Sequence, residues 1–283
     1  MAARATLPGP VVLVPTMGAL HDGHRVLLRR GRQICGRKGS LVVSVFVNPL
    51  QFEAGADLDR YPRDLAADLG VCAQEDVDLV FAPLATQMYP AAQVIMIDPG
   101  PPGNELEGAF RPGFFNGVLT VVLKILNLVR PDAAVFGEKD AQQLFLVRRM
   151  VADLNLAVEI EAVPTAREPD GVAASSRNIY LSAEDRVTAR ALSRALLAGA
   201  AVAGQGRAAV MAAAAAVLDV AGQADPPLVL DYLELVEQGT FTPAAPGYAG
   251  PAVLLVAGTV GKTRLIDNTP LTLRAAPAAG ETP

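Results

Sequence analysis

Tryptophan is missing from the 283 residues, and aromatic residues make up only 5% of them. That leaves little from which to build a base-stacking platform for single-stranded nucleic acid. A basic excess is missing too. The chain has 24 Lys and Arg against 29 Asp and Glu, a net charge of −5, unlike a protein that coats nucleic acid or a membrane surface. Two cysteines, Cys35 and Cys72, are too few for a disulfide framework or a four-cysteine zinc site. With no leader pattern in view they read as reduced thiols, and a cytoplasmic location is expected. No apolar run reaches the roughly 18 residues that a membrane-spanning helix needs. Ala208–Val220 is too short and owes its character to alanine, a strong helix former. What the chain does have is apolar residues, 51% against 19% charged, enough for a large core and against disorder. The length suggests about two domains.

Short apolar runs alternate with amphipathic stretches through the first half. Val11–Thr16, Leu41–Asn48, Val77–Pro83, Ala133–Lys139 and Ala157–Thr165 read as buried strands. Gly23–Ile34, Asp59–Glu75, Val118–Val129 and Asp140–Leu154 carry helical spacing between them. Strands that are apolar throughout and separated by helices imply a parallel sheet covered on both faces. The expected fold is α/β, a doubly wound Rossmann-like sheet over residues 1–165, with ligands at the carboxyl ends of its strands. From residue 166 the character changes. Two helices, Ala183–Ala203 and Arg207–Val220, are split by Gly204-Gln205-Gly206, and Leu228–Val236 and Ala252–Leu265 read as strands. Residues 166–283 therefore form a second, smaller α+β domain with a short antiparallel sheet. The tail Ala275–Pro283 reads as disordered.

The unusual segments follow the strand ends. After the first strand comes Met17-Gly18-Ala19-Leu20-His21-Asp22-Gly23-His24, holding the only two histidines of the chain at a helix start. Free N–H groups and the partial positive charge of a helix N-terminus attract phosphate, and two imidazoles add donors. The alternatives are two satisfied loop histidines or half of a metal site, for which further ligands are not in view. Asn48 and Gln51 follow the second strand, two amides suited to hydroxyl or carboxylate recognition or simply to a polar loop. Gly137-Glu138-Lys139-Asp140 follows the fourth strand, with Lys139 able to neutralise phosphate, Asp140 able to accept from a ribose hydroxyl, and Gln143 one turn further on. Ser175-Ser176-Arg177 offers two hydroxyls and a guanidinium as an anion clamp, though such clusters are common in surface loops. Gly258–Thr263 imitates part of a P-loop but sits between strands, so it is set aside.

Taken in order, PTMGALHDGH, FVNPLQF, YPRDLAAD, RPGFFNGV, VFGEKDAQQL and SSRNIYLS resemble the pantothenate synthetase (pantoate-β-alanine ligase) family, which carries the His-x-Gly-His signature of nucleotidyltransferases. The resemblance covers residues 11–190 nearly throughout. It implies that ATP and pantoate give pantoyl adenylate and pyrophosphate, and that β-alanine then displaces AMP to give pantothenate. It also implies the site. Met17 through His24, Gly137 through Asp140, Ala166, Ala174, Ser175, Ser176 and Arg177 would bind ATP, with His24, His21, Lys139 and Arg177 catalytic and His24 the general acid/base. Gln51, Gln143 and Asn48 would hold pantoate, and Gln51 also β-alanine. Mg²⁺ would ride on the ATP phosphates with no metal site of the protein's own. A homodimer is implied, the C-terminal domain acting as a lid.

Two side chains depart from the family pattern. Phe114 stands where the family usually has histidine, and Ala141 where it usually has tyrosine. A phenyl ring offers no donor, so Phe114→His is expected to raise kcat/KM. The N-terminus also lacks much of the helix that commonly precedes the first strand. Phosphate beside both histidines would favour their protonated forms, giving a rate that varies with pH where imidazole titrates. Two other readings stay open: a nucleotidyltransferase with a different acceptor, and a homologue that binds nucleotide without turnover.

Overall fold

The computed structural model describes residues 2–52, 58 and 61–274. The tail Ala275–Pro283 and the start of the helix expected at Asp59–Glu75 lie outside them. The chain forms two units, Met1–Thr165 and Ala166–Pro283.

The first unit is built on five parallel strands: β1 (Val11–Thr16), β2 (Ser40–Val45), β3 (Leu79–Phe81), β4 (Ala133–Gly137) and β5 (Glu159–Val163), in the order β3-β2-β1-β4-β5. Four longer helices connect them: α1 (Asp22–Cys35), α2 (Leu65–Gln74), α3 (Phe114–Val129) and α4 (Ala141–Asp153). Successive strand side chains point to opposite faces, so β1 is apolar at every buried position. Val12 and Val14 pack with Leu28 and Cys35 of α1 and Cys72 of α2. Val11 and Leu13 pack with Val118, Leu119, Val122 and Ile125 of α3 and Leu144 and Val147 of α4. That two-sided burial is why the strands carry no polar alternation.

In the second unit α5 (Ala183–Ala201) and α6 (Arg207–Ala221) pack on an antiparallel sheet β6-β7-β8, with β6 at Leu228–Glu237, β7 at Gly250–Val260 and β8 at Thr263–Leu273. Small side chains such as Ala189, Ala195 and Ala214 let the helices meet closely against Leu254 and Val256. The single strand expected at Ala252–Leu265 is corrected here. Val260 pairs with Thr263 across a two-residue turn, whose Gly261 has φ +57°. The apolar pattern ran on through the turn and hid it, and the P-loop imitation is that hairpin. Two further boundaries moved: α3 starts at Phe114 rather than Val118, and β3 is only three residues long.

Candidate active site

Strand order reverses between β1 and β4, the place where an open α/β sheet leaves a crevice beyond its carboxyl ends. Met17–His24 follows β1 there, and Glu138–Asp140 forms a single 3₁₀ turn after β4. The turn Pro49–Gln51 follows β2, the next strand along.

The loop after β1 holds itself in shape. Thr16 Oγ1 accepts from the Gly18 N–H. Asp68, on α2 and only 3% exposed, accepts from the Ala19 N–H at 3.1 Å and the Leu20 N–H at 2.8 Å. His21 and His24 cap α1 reciprocally: His21 Nδ1 accepts from the Gly23 N–H and His24 Nδ1 from the His21 N–H. Of the free N–H groups expected at the helix start, that of Gly23 already has an acceptor, as do those of Gly18 to His21 in the loop before it. The loop turns through Gly18 at φ +85° and Ala19 at φ +52°. A Cβ at position 18 would lie 2.7 Å from Asp68 Oδ2.

The caps decide what the histidines present. With Nδ1 an acceptor, a neutral ring carries its proton on Nε2. Burial, then the adjacent His21, then Lys139 push the His24 pKa down to about 3. The rings are 4.1 Å apart. Burial thus favours the neutral form of His24 in the free protein. The protonated form expected of it applies with phosphate bound beside it. Lys139 is half-buried, with Nζ 3.8 Å from Asp140 Oδ1.

The second turn is an oriented chain of amides. Asn48 is 1% exposed. Its Oδ1 accepts from the Tyr89 hydroxyl at 2.8 Å and the Leu50 N–H, and its Nδ2 donates to Gly117 O and Gln51 Oε1. Gln51 Oε1 is therefore the acceptor, and Nε2 faces the other way, 2.9 Å from Met17 Sδ. Burial pushes the Tyr89 pKa up to about 12, so its hydroxyl stays a donor. The backbone of α3 closes on the turn at Gly117, where a Cβ would lie 2.2 Å from Leu50 O. Phe114 is not idle either. The Arg111 guanidinium lies 3.6 Å from its ring centre while Nη2 donates to Gln51 O at 3.1 Å. On α4, Gln142 is buried and committed to Glu107 N–H, Pro102 O and Glu105 O, whereas Gln143 is half-buried.

The family model for pantoate-beta-alanine ligase matches residues 2–270. The chain is 59% identical to the pantothenate synthetase of Thermobifida fusca over 271 residues, covering 94% of this chain and 90% of that protein. It is 55% identical to the one from Acidothermus cellulolyticus over 275 residues, covering 95% and 88%. Among solved structures, pantothenate synthetase from Thermus thermophilus superposes with a TM-score of 0.87 at 47% identity, covering 95% of this chain and 96% of that one. A pantoate-β-alanine ligase from Francisella tularensis, complexed with β-γ ATP and β-alanine, gives 0.76 at 32% identity, covering 95% and 93%.

The chain belongs to the pantoate-β-alanine ligase family.

As a member of that family it is an enzyme, one that joins pantoate and β-alanine in an ATP-dependent reaction. Its remaining expected ligase residues lie in the second unit on one small hairpin. Ala174 N–H donates to Ala166 O at 2.9 Å, Arg167 bridges to Ala173, and Ser175 Oγ caps the turn Ser176–Tyr180 by accepting from the Arg177 N–H. Asn178 donates to Ala173 O and to Glu168, which Arg186 also engages. Sequence reasoning missed Asp68, Tyr89 and Arg111. Asp68 closes the string YPRDLAAD, and Arg111 sits three residues before Phe114, so both were in plain sight. Their partners, 49 and 60 residues away, were not. No helix among the described residues is long and apolar enough to cross a membrane.

Proposed function

We propose that the crevice between β1 and β4 carries both half-reactions. A pantoate carboxylate oxygen attacks the α-phosphorus of ATP while the bond to the bridging oxygen breaks and pyrophosphate leaves. The deprotonated amine of β-alanine then attacks the pantoyl carbonyl carbon, the acyl–oxygen bond to AMP breaks with the electron pair leaving on AMP, and the extra proton on nitrogen passes to solvent to give the amide. Neither step needs a covalent bond to the protein. Both need positioned reactants and donors aimed at oxygens that gain charge.

Nε2–H groups of His21 and His24 would donate to phosphate oxygens, and Lys139 would neutralise the leaving pyrophosphate. Met17 to Gly23 would line the nucleotide, with Gly137 and Glu138 alongside and Asp140 on the ribose. Gln51 Nε2 and Gln143 would hold pantoate, and Gln51 would also meet β-alanine. Asn48, whose amide is fully engaged with protein groups, would act by orienting Gln51 rather than by touching pantoate. For Ala166, Ala174, Ser175, Ser176 and Arg177 the family resemblance alone supports a place at the nucleotide. Mg²⁺ would ride on the ATP phosphates, as the family resemblance implies, and screen their charge there. A homodimer in the cytoplasm completes the reading.

The observation that carries it is the pair of histidines that cap the start of α1 reciprocally where strand order reverses, with Lys139 close enough to His24 to lower its pKa. The test is AMP formation from ATP and pantoate, with and without β-alanine. Pantoyl adenylate without β-alanine and pantothenate with it are expected. Turnover only with another acceptor would move the chain to a different nucleotidyltransfer reaction, and binding without turnover would make it a nucleotide-binding homologue.

A further inference from the structure

The loop that carries the histidines is shaped from outside by a residue that has no part in the chemistry assigned above. Asp68 lies on α2, 48 residues on from Leu20. It is 3% exposed, and its two carboxylate oxygens each take one consecutive N–H of the loop, Oδ2 from Ala19 and Oδ1 from Leu20. A carboxylate is the one side chain of this size with acceptors on both arms and no donor. Ala19 sits at φ +52°, a conformation that an L-residue other than glycine, asparagine or aspartate seldom adopts without outside support. Directly after this pinned pair comes His21, the residue that caps α1 and whose own N–H orients His24.

We propose that Asp68 is a positioning residue for adenylate formation: it pins the Ala19-Leu20 backbone so that His21 and His24 direct both Nε2–H groups into the crevice. This rests on the nucleotide role proposed for the histidines. Because those loop N–H groups are already engaged by Asp68, the loop grips phosphate through side chains, and its shape depends on a carboxylate that never meets the substrate.

Asp68→Asn tests this, since asparagine keeps the shape but turns an NH₂ toward one of the two backbone donors. The full-length enzyme is assayed for AMP from ATP and pantoate, with kcat and KM for ATP determined separately, alongside pantoate binding without nucleotide and thermal melting. The wild-type assay comes first; if wild type forms no adenylate, the function reading fails and not this inference. With an active wild type, kcat for adenylation is expected to fall on the order of 10²-fold, the loss that a misplacement of about 1 Å brings. Pantoate affinity should hold within a few-fold. The double variant Asp68→Asn with Ala19→Gly gives a second reading. Glycine tolerates the left-handed conformation without the clamp, so part of the lost kcat should return. An Asp68→Asn enzyme that melts lower but keeps wild-type kcat would overturn the proposal in favour of a purely structural role. Failure of Ala19→Gly to restore any rate would overturn it as well, since the clamp would then not be acting through the Ala19 backbone.

Discussion

The turns after β1 and β2 reach the same result by different means. After β1, side chains accept from the backbone: His21, His24 and Asp68 take up loop N–H groups, which leaves each neutral imidazole its proton on Nε2. After β2, side chains hand polarity along a relay from Tyr89 through Asn48 to Gln51, whose NH₂ donates to Met17 Sδ. Both turns present donors, which suits two acceptor-rich anions. The first is fixed within a few residues and by one distant carboxylate. The second depends on groups from β2, α3 and the segment around Tyr89, so a single substitution is expected to disturb it less.

The largest separation should come from His24→Ala. Losing one donor aimed at developing charge lowers the rate by about 10²–10³, and losing a helix cap lowers stability by about 0.5–2 kcal/mol. Pantoyl-adenylate formation by a variant shown to be folded checks it, and near-normal turnover would remove His24 from the chemistry. Gln51→Glu asks whether the second turn needs a donor. Asn48 Nδ2 would hold one carboxylate oxygen and leave the other facing pantoate. A charged bond of about 1.5–3 kcal/mol is lost, so KM for pantoate should rise roughly tenfold or more while ATP saturation changes little. An unchanged pantoate KM would mean that the relay ends elsewhere.

Phe114→His probes the support of that turn, and the structure reverses the sign expected from the sequence. The ring already holds Arg111 against Gln51 O. A surface cation–π contact contributes about 0.5–1 kcal/mol, so kcat/KM should fall about two- to fivefold, and further at low pH where a protonated imidazole would face the guanidinium. A rise would restore the simpler view that this position lacks only a donor.

The smallest effect is that of pH. His24 has an ordinary value of 6.5 and a folded value of about 3, so the unfolded chain binds more protons between them. Its contribution to stability is complete above about 6.5 and is lost as pH falls toward 3. Melting temperature should drop on acidification more steeply in wild type than in His24→Asn. In kcat/KM for ATP, which reports the free enzyme, no inflection between pH 5 and 8 should vanish with that substitution. An inflection there that His24→Asn removes would show that the imidazole titrates after all.

Much of the architecture was legible because the chemistry was local. β1 lies where its unbroken apolar run begins and ends, since a strand buried on both faces has no other pattern. The histidine loop declared itself by holding both histidines of the chain. What the sequence hid was contact at a distance. Asp68 is an unremarked acid in a helical string until the fold sets it beneath Ala19 and Leu20. Tyr89 is one of five tyrosines until its hydroxyl meets Asn48. Phe114 looked like a loss because a motif records which residue is absent, not what the replacement touches. The β7–β8 turn was hidden by apolar residues on both sides of it.

The histidine caps also bear on how such a site evolves. Functional residues are commonly chosen at some expense to the fold, so replacing them tends to stabilise a protein. Here the rings proposed for the nucleotide also tie down the first turn of α1. A drifting copy of this enzyme that lost either imidazole would lose helix stability along with activity, and could not exchange one for the other. Loss of the helix cap and loss of a candidate donor would therefore arrive in one substitution, unless the replacement were itself a capping residue such as serine or aspartate.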